Sequence, residues 1–468
     1  MTARIYLDHA ATTPLDERVL EAMLPYLRDH WGNPSSLYGE AQEARRGLEG
    51  ARRSMAEILG AKPQELVFTS GGSESDNLAL RGAAYAARRQ GRGDHVITAA
   101  IEHHAVLHAA ERLEEEGFRV TYLGVDGEGF IDLQDLEHAV TDATALVSIM
   151  FVNNEVGTIE PIEEAARVVK GKNPRAVFHT DAVQAAGILD LNVDRLGVDM
   201  LSLGAHKFYG PKGVGALYVR QRTPIQWQQL GGGQEKNRRA GTENVGGIVG
   251  MAKALELAYA ELDARNAHAR DLRDRLLHGI PERIPYVHIT GPQPEPIEKA
   301  TKSGPARPQA SSSVRAERVE AAAKQHRANG EATAPRSVRP GVPSVRAEPV
   351  EAAAARRSDD RRAPNNFSAC FEYIEGEAIL IALDLAGVAA SSGSACTSGS
   401  LEPSHVLTAL GVPEDLARGS LRLTVGKDNT REQIEHVLEI LPGIVSRIRS
   451  LSPAWPERAA SNEVSSQR

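Results

Sequence analysis

The sequence predicts an α/β fold in which a mainly parallel sheet is covered by helices. Along the first half of the chain, short apolar runs rich in β-branched residues alternate with stretches of helical periodicity. The predicted strands span residues 65–69, 95–99, 145–152, 176–180 and 200–203. A predicted helix before them carries apolar side chains at helical spacing, namely Ala41, Ala44, Leu48, Ala51, Met55 and Ile58.

Two further helices are predicted toward the C-terminus. An amphipathic stretch from about residue 251 to residue 277 places Leu255 and Tyr259 on one face. We expect this helix to connect a large domain to a smaller C-terminal one. The last helix is predicted to begin at Thr430, because Gln433 follows at the spacing of a capping box.

Composition and charge restrict the class of protein. With 468 residues, 41% hydrophobic and 25% charged, the chain resembles an ordinary soluble protein large enough for two domains. A formal net charge of −8 argues against direct binding of nucleic acid. No apolar stretch is long enough to span a bilayer, and only two cysteines occur, Cys370 and Cys396. We therefore expect a cytoplasmic protein without a membrane partner.

Residues 293–363 depart from this pattern. They contain no Leu, Phe, Tyr or Trp, and they carry 14 Lys and Arg against 9 Asp and Glu. Residues 313–323 also recur at 344–354 with a single change. Such a segment cannot bury enough apolar surface to offset the entropy of ordering it. We expect a disordered low-complexity insertion in a surface loop, with a basic tether for RNA or a partner protein as the alternative.

Lys207 and Asp181 each follow an apolar run that predicts a strand. A lysine fixed at a strand end can be desolvated, which lowers its pKa and lets the neutral amine form a Schiff base with an aldehyde. Because Asp181 also follows a predicted strand, it is expected at the same edge of the sheet as Lys207. Ligands of α/β sheets bind at this edge, beyond the carboxyl ends of the strands. Pyridoxal phosphate requires such a lysine and such a carboxylate. Alone, Lys207 could be a solvated loop residue and Asp181 a helix cap.

Two other segments fit the same cofactor. Gly71, Gly72 and Ser73 stand between a predicted strand and a predicted helix, where free N–H groups favour a phosphate. No Gly-Lys-Ser/Thr follows, so this is not a Walker loop, and an ordinary capped helix is the alternative. His103 follows the predicted strand at residues 95–99 and could stack on a ring or move protons, although a structural histidine has the same signature.

The two cysteines have different surroundings. Cys396 lies among small residues, which predict an accessible loop from which a thiolate could act as a nucleophile. Cys370 lies in an apolar run and is predicted to be buried in a strand. Because no HExxH or CxxC occurs, we expect no resident metal site.

Taken together, the chain resembles the NifS/IscS-like cysteine desulfurases, which are fold-type I pyridoxal phosphate enzymes of the class V aminotransferase group. The resemblance covers residues 4–292 and 364–455. It is carried by the motifs YLDHAATTP (residues 6–14), GNPSS (32–36), VNNEVG (152–157), RAGTEN (239–244) and LRL (421–423). The loop at residues 396–410 resembles the long-loop subgroup, whose mobile cysteine hands sulfur to other proteins.

The resemblance implies a role for each candidate residue around pyridoxal 5′-phosphate. Lys207 would hold the cofactor, Asp181 would pair with its ring nitrogen, and Gln184 would contact its ring hydroxyl. His103 would stack on the ring and join Lys207 in catalysis. The phosphate would be held by Gly72, Ser73 and His206, with Thr242 arriving from the other subunit of a homodimer.

The resemblance also implies how the substrate is bound and where its sulfur goes. Asn154 and Arg422 would grip the carboxylate of L-cysteine, the arginine by a bidentate fork. Cys396 would take the sulfur, and its contact with a transferred iron–sulfur cluster is left open. The partners would be sulfur-acceptor proteins, either an iron–sulfur scaffold or a tRNA-thiolation protein.

The implied architecture is a large domain with a mainly parallel seven-stranded sheet and a smaller α+β C-terminal domain. Residues 1–15 would pack with the small domain, and residues 16–262 would form the large cofactor-binding domain. Residues 263–292 and 364–455 would form the small domain, and residues 456–468 a flexible tail. The tail does not resemble the end that some relatives use to dock the scaffold. Gly204 is a second departure, because many relatives carry a phosphate-binding serine there.

The function implied is conversion of L-cysteine to L-alanine, with a persulfide left on Cys396 for iron–sulfur cluster assembly or tRNA thiolation. Two alternatives stay open. One is another reaction of the class V group, such as selenocysteine cleavage or transamination. The other is a catalytically silent scaffold that binds partners through its basic insertion.

Overall fold

A computed structural model describes residues 4–293, 361–392, 403–453 and 455 of the chain. Most of the predicted insertion, the candidate nucleophile Cys396 and the predicted tail lie outside the described residues. The α-helices are α1 Glu17–Arg28, α2 Gly39–Leu59, α3 Gly72–Arg89, α4 His104–Glu115, α5 Leu133–Ala139, α6 Ile162–Lys172, α7 Val193–Leu196, α8 Gln234–Asn237, α9 Val245–Ala260, α10 Leu262–Arg283, α11 Gly376–Leu385, α12 His405–Ala409, α13 Glu414–Ala417 and α14 Arg431–Leu451.

The strands are β1 Ile5–Tyr6, β2 Leu66–Thr69, β3 His95–Ala99, β4 Arg119–Leu123, β5 Thr144–Ser148, β6 Val177–Asp181, β7 Met200–Gly204, β8 Gly215–Val219, β9 Val287–Ile289, β10 Asn366–Phe371, β11 Val388–Ala389 and β12 Ser420–Thr424. Seven of them form one sheet in the order β2-β8-β7-β6-β5-β3-β4. Only β8 runs antiparallel to its neighbours in this sheet. The predicted α/β class with a mainly parallel seven-stranded sheet is therefore confirmed.

The large sheet is buried on both faces. Consecutive residues of one strand belong to two different hydrophobic clusters. Val96 of β3 and Val177 of β6 belong to one cluster, and Ile97 and Phe178 belong to the other. Side chains alternate across a strand, so two clusters on one strand require helices on both faces. This sandwich leaves the carboxyl ends of the parallel strands as the edge at which polar side chains can gather.

A smaller α+β region packs around a second sheet, β12-β10-β9, whose strands are antiparallel. Helices α10, α11 and α14 cover this sheet and share one hydrophobic cluster with it. Strand β1 pairs with β11, and Leu7 is fully buried in the same cluster. Cys370 lies buried in β10 as predicted, and burial raises the pKa of its thiol to about 12.

Two predicted elements have different bounds in the structure. The predicted strand at residues 145–152 ends at Ser148. Beyond it, Ile149 and Phe151 N–H still donate to β6 carbonyls, but Met150 N–H donates to the Glu102 carboxylate at 2.6 Å instead of to a strand. The predicted helix over residues 251–277 is two helices that break at Glu261, whose φ is −110°. In both places the spacing of apolar residues continues past the end of the strand or helix, so periodicity alone could not locate that end. The capping box of Thr430 and Gln433 is confirmed.

None of the helices within the described ranges is both long and apolar enough to cross a membrane.

The two ends of the predicted insertion meet at one carboxylate. Glu128 accepts a hydrogen bond from Gln293 N–H at 3.1 Å and forms an ion pair with Arg361 at 2.7 Å. Arg362, which the sequence prediction placed inside the insertion, is fully packed instead: its guanidinium donates to the carbonyls of Pro292 and Thr290. The packed chain therefore resumes at about residue 361, slightly before the predicted boundary at residue 364.

Replacing residues 294–360 with a short Gly-Ser linker is expected to leave the described fold intact. Because a shorter loop costs less closure entropy, the free energy of unfolding should rise by about 1–2 kcal/mol. Urea denaturation followed by circular dichroism measures this change.

The matched control is a wider deletion of residues 293–363, which also removes Arg362. It is expected to lower the free energy of unfolding by about 2–4 kcal/mol, because several buried carbonyls lose their donor. Equal stability of the two deletions would contradict the boundary at residue 361.

Candidate active site

A cavity of about 310 Å³ opens at the carboxyl ends of β6 and β7, next to the start of α3. The structure brings most of the predicted site residues to its wall: Gly72, Ser73, His103, Asn154, Asp181, Gln184, His206, Lys207 and Arg422. These residues come from segments that are far apart in the sequence, and parallel strands ending at one edge bring them together.

Lys207 ends the 3-10 turn Ala205–Lys207 that follows β7 directly. Its amine Nζ donates hydrogen bonds to the carbonyls of Ala10 at 2.5 Å and Ala11 at 2.8 Å. Lys207 is half-buried and lines the cavity, and the hydrogen bonds to the Ala10 and Ala11 carbonyls hold its amine in place. An amine held in this way can be directed at an aldehyde in the cavity.

Asp181 is the last residue of β6 and is buried at the cavity wall. Its Oδ1 accepts a hydrogen bond from Val183 N–H at 2.8 Å. Burial raises the pKa of this carboxyl, while the Val183 bond and the positive charge of Lys207 act in the opposite direction. A cation in the cavity would therefore stabilise the ionised form of Asp181.

The start of α3 offers an anion site. Gly72 and Ser73 line the cavity, and no side chain caps the first turn, so no cap competes with an anion for their N–H groups. Gly72 is required by space, since a Cβ there would lie 2.7 Å from Val183 Cγ2. At Gly204 a Cβ would lie 3.3 Å from Gly72 N, so a side chain at position 204 would point at this helix start.

Two histidines at the cavity are held neutral. Burial, and then the charge of Lys207, lowers the pKa of His103 to about 4, and the same two causes lower that of His206 to about 4. His103 Nδ1 accepts the Ala105 N–H at 3.1 Å, so its ring is fixed as the cap of α4. A neutral ring in this position can stack on a flat cofactor, and its Nε2–H can donate a hydrogen bond.

Arg422 lies on β12 and reaches the cavity from the smaller region. Its guanidinium donates to the carbonyl of Asn154 at 2.9 Å and to the Asp8 carboxylate at 3.0 Å. Its Nε is buried and has no hydrogen-bond partner within the described residues. Because Arg422 lines the cavity, a ligand carboxylate there would compete with Asp8 for the guanidinium.

The remaining predicted residues have different positions. Gln184 lines the cavity and donates to the Ala10 carbonyl at 2.9 Å. Thr242 is exposed and does not line the cavity of its own chain. Cys396 lies outside the described residues, but the residues that flank this gap are anchored beside Arg422. Ser391 pairs with the Arg422 backbone, and Ser404 donates to Glu155 at 2.5 Å.

Sequence reasoning missed several acids of the site. Asp8 contacts Arg422, Asp76 lines the cavity from α3, and Glu102 is fully buried next to His103. Asp76 did leave a signal, because it is a charged residue on the helix face that otherwise carries Ala79, Leu80 and Ala83. In the part of the chain that the structure describes, no group of three His, Cys, Asp or Glu is arranged to hold a metal ion.

The residues at the cavity fit pyridoxal phosphate. The uncapped start of α3 suits the phosphate, the buried Asp181 suits the ring nitrogen, and the Lys207 amine suits the aldehyde. Arg422, which lines the same cavity, adds a place for the carboxylate of an amino acid.

Comparison with known proteins agrees with this geometry. Residues 5–314 match the family described as aminotransferase class-V. A cysteine desulfurase IscS of Clostridium botulinum is 43% identical over 463 residues, which are 99% of this chain and 100% of that protein.

Two solved structures have the same fold. One is described as a NifS-like protein and has a TM-score of 0.76 at 35% identity, covering 95% of this chain and 99% of that one. The other is described as SspA in complex with cysteine, with a TM-score of 0.67 at 32% identity, covering 91% of this chain and 100% of that one. The chain therefore belongs to the class V aminotransferases, a family of pyridoxal phosphate-dependent enzymes, and within that family to the cysteine desulfurases.

Proposed function

We propose that this chain converts L-cysteine to L-alanine and passes the sulfur to Cys396 as a persulfide. The observation that carries this proposal is the single cavity in which Lys207, Asp181 and Arg422 meet. A similar protein, SspA, has been solved with cysteine bound, which supports cysteine as the substrate. The cofactor would be pyridoxal 5′-phosphate, held at its phosphate by Gly72, Ser73 and His206 and contacted at its ring by Gln184 and His103.

Each side chain has a distinct task in this proposal. Bound pyridoxal phosphate supplies an electron sink that stabilises negative charge on the substrate Cα. Asp181 holds a proton at the ring nitrogen, which keeps that sink effective. Arg422 and Asn154 orient the substrate carboxylate, so that the Cα proton faces the Lys207 amine. Lys207 then takes this proton as a general base.

The sulfur transfer balances without an added oxidant. The Cys396 thiolate attacks the substrate sulfur, the bond between that sulfur and the substrate Cβ breaks, and the electron pair stays on the carbon fragment. Protonation of the fragment gives L-alanine, while the enzyme keeps both sulfur atoms as a persulfide. The proposal is supported by Ser391 and Ser404, the described residues on either side of Cys396 in the chain: Ser391 pairs with Arg422, which lines the cavity, and Ser404 donates to Glu155.

The assembly and the acceptor are part of the same proposal. We infer a cytoplasmic homodimer in which Thr242, exposed in its own chain, contacts the phosphate in the other subunit. The persulfide would be passed to an iron–sulfur scaffold or to a tRNA-thiolation protein. The relatives named IscS support this assignment of sulfur transfer.

The test is the Cys396→Ser variant of the full chain. We expect it to lose persulfide formation and alanine release from cysteine by at least about a hundredfold, because the sulfur has no nucleophile to receive it. The visible absorbance of the bound cofactor should stay unchanged. Cys370→Ser is the control, since that thiol is buried in β10. Undiminished alanine release by Cys396→Ser would overturn the assignment of the nucleophile, and cleavage of selenocysteine alone would favour a lyase.

A further inference from the structure

A buried polar row crosses the large sheet behind Asp181. The imidazole of His179 on β6 is fully buried and lies between Ser148 Oγ on β5 and Ser202 Oγ on β7, each 2.9 Å from a ring nitrogen. Burial lowers the pKa of His179 to about 3, so the ring is neutral. With both nitrogens bonded to hydroxyl groups, His179 does not supply a positive charge to its neighbours.

Asp76 on α3 lies against this row. Its side chain is 1% exposed, and its Oδ1 is 3.8 Å from His179 Nε2. That oxygen has no hydrogen-bond partner among the residues that the structure describes. Asp76 and Asp181 line the same cavity, so two buried carboxyl groups face one space.

The two carboxyl groups are not supported equally. Asp181 accepts the Val183 N–H and feels the charge of Lys207, and both effects favour its ionised form. For Asp76, burial and then the neighbouring Asp181 raise the pKa well above its usual range, with only a bond from Ser202 acting against them. Two adjacent buried carboxylates cannot both ionise at low cost, so the less supported one takes the proton.

The other titratable groups around Asp76 do not change this ordering. Glu102, which follows β3, is buried, and its Oε1 accepts a hydrogen bond from Met150 N–H. Burial raises the pKa of Glu102 well above the usual range. His103 and His179 are held neutral by burial. Lys207 is therefore the positive charge at this end of the cavity, and it acts on Asp181.

We propose that Asp76 is a positioning residue that carries a proton at neutral pH and thereby leaves Asp181 as the single negative charge facing the cofactor ring. This inference rests on the proposed function for the identity of the ring nitrogen that Asp181 meets. One carboxylate opposite one protonated ring nitrogen is a balanced buried pair, whereas a second carboxylate would be left uncompensated. Asp76 thus acts through Asp181 rather than on the substrate.

The first test uses the protein without cofactor and the variant Asp76→Asn, which has the same shape and no charge. In the folded wild type Asp76 keeps a proton that the unfolded chain loses above about pH 4. The stability it contributes is therefore present at low pH and is lost as pH rises. The folding equilibrium constant of Asp76→Asn relative to wild type should increase about tenfold per pH unit from about pH 5 to about pH 7.

Urea denaturation at several pH values measures this ratio. Asp263→Asn is the control, because Asp263 is an exposed residue of α10 and its ratio is expected to stay flat. A flat ratio for Asp76→Asn would overturn the proposal.

The second test locates the proton by infrared spectroscopy of the same cofactor-free proteins. The C=O band of a protonated carboxylic acid should lose intensity in Asp76→Asn and keep it in Asp181→Asn. Loss in Asp181→Asn alone would place the proton on the other carboxyl and overturn the proposal.

The third test uses the holoenzyme. Asp76→Asn should keep the wild-type visible spectrum at neutral pH, while Asp181→Asn should change it. A spectrum altered by Asp76→Asn as strongly as by Asp181→Asn would contradict a neutral Asp76. Failure of the wild-type chain to bind pyridoxal phosphate would overturn the proposed function itself, and the infrared result would show separately whether the proton assignment holds.

Discussion

Replacing Lys207 with alanine is expected to abolish the release of L-alanine from L-cysteine, with a loss of at least about a thousandfold. The amine has two tasks in the proposed reaction, since it anchors the cofactor and takes the Cα proton. No other amine lines the cavity within the described residues, so nothing nearby can replace it. The Ala10 and Ala11 carbonyls that hold the amine are backbone groups and would stay in place.

The measurement is alanine formed over time from cysteine, together with borohydride reduction and peptide mapping of the wild type. Borohydride should fix the cofactor to the peptide that contains Lys207. Lys212→Ala is the matched control, because Lys212 is exposed, follows the same turn and does not line the cavity. A label on any other lysine, or alanine release by Lys207→Ala near the wild-type rate, would remove the basis of the proposed chemistry.

The position of Lys207 and Asp181 could be predicted because strand ends leave a clear signal. In both cases a buried apolar run stops at a polar residue, and the parallel arrangement brings such stops to one edge. The start of α3 was predictable for a similar reason. Gly71 and Gly72 follow β2 after the single residue Ser70, and a Cβ at Gly72 would lie 2.7 Å from Val183 Cγ2.

The acids of the site could not be predicted in the same way. Asp8 meets Arg422 across more than 400 residues of chain, and no local pattern indicates such a pair. The same limit applies to Ser148, His179 and Ser202, which are single polar residues inside apolar strands. These three side chains meet only because of the register of three neighbouring strands, and this register is set by tertiary packing. Strands β4 and β8 were not predicted individually: β4 mixes polar and apolar residues and is partly exposed, whereas β8 is a buried apolar run that its composition could have indicated.

Replacing Arg52 with leucine is expected to lower the free energy of unfolding by about 3–5 kcal/mol. Arg52 and Glu235 are both buried, and two guanidinium nitrogens contact the carboxylate at 2.5 and 3.0 Å. The same carboxylate accepts the N–H of Phe68 in β2, at 3.0 Å. Without Arg52, Glu235 would be an uncompensated buried charge beside the strand that leads to the start of α3. Urea denaturation of the cofactor-free chain measures the loss.

A matched variant shows whether the cost of losing an ion pair depends on its burial. Arg46→Leu removes an exposed partner of Glu43 from the same helix and should cost no more than about 0.5 kcal/mol. The double variant Arg52→Leu with Glu235→Leu should be more stable than Arg52→Leu alone, because it leaves no buried charge behind. If the double variant instead lost the sum of the two single losses, the cost would come from packing, and the charge argument would fail. Because β2 ends next to the turn that is proposed to hold the cofactor phosphate, Arg52→Leu should also release cofactor faster than Arg46→Leu.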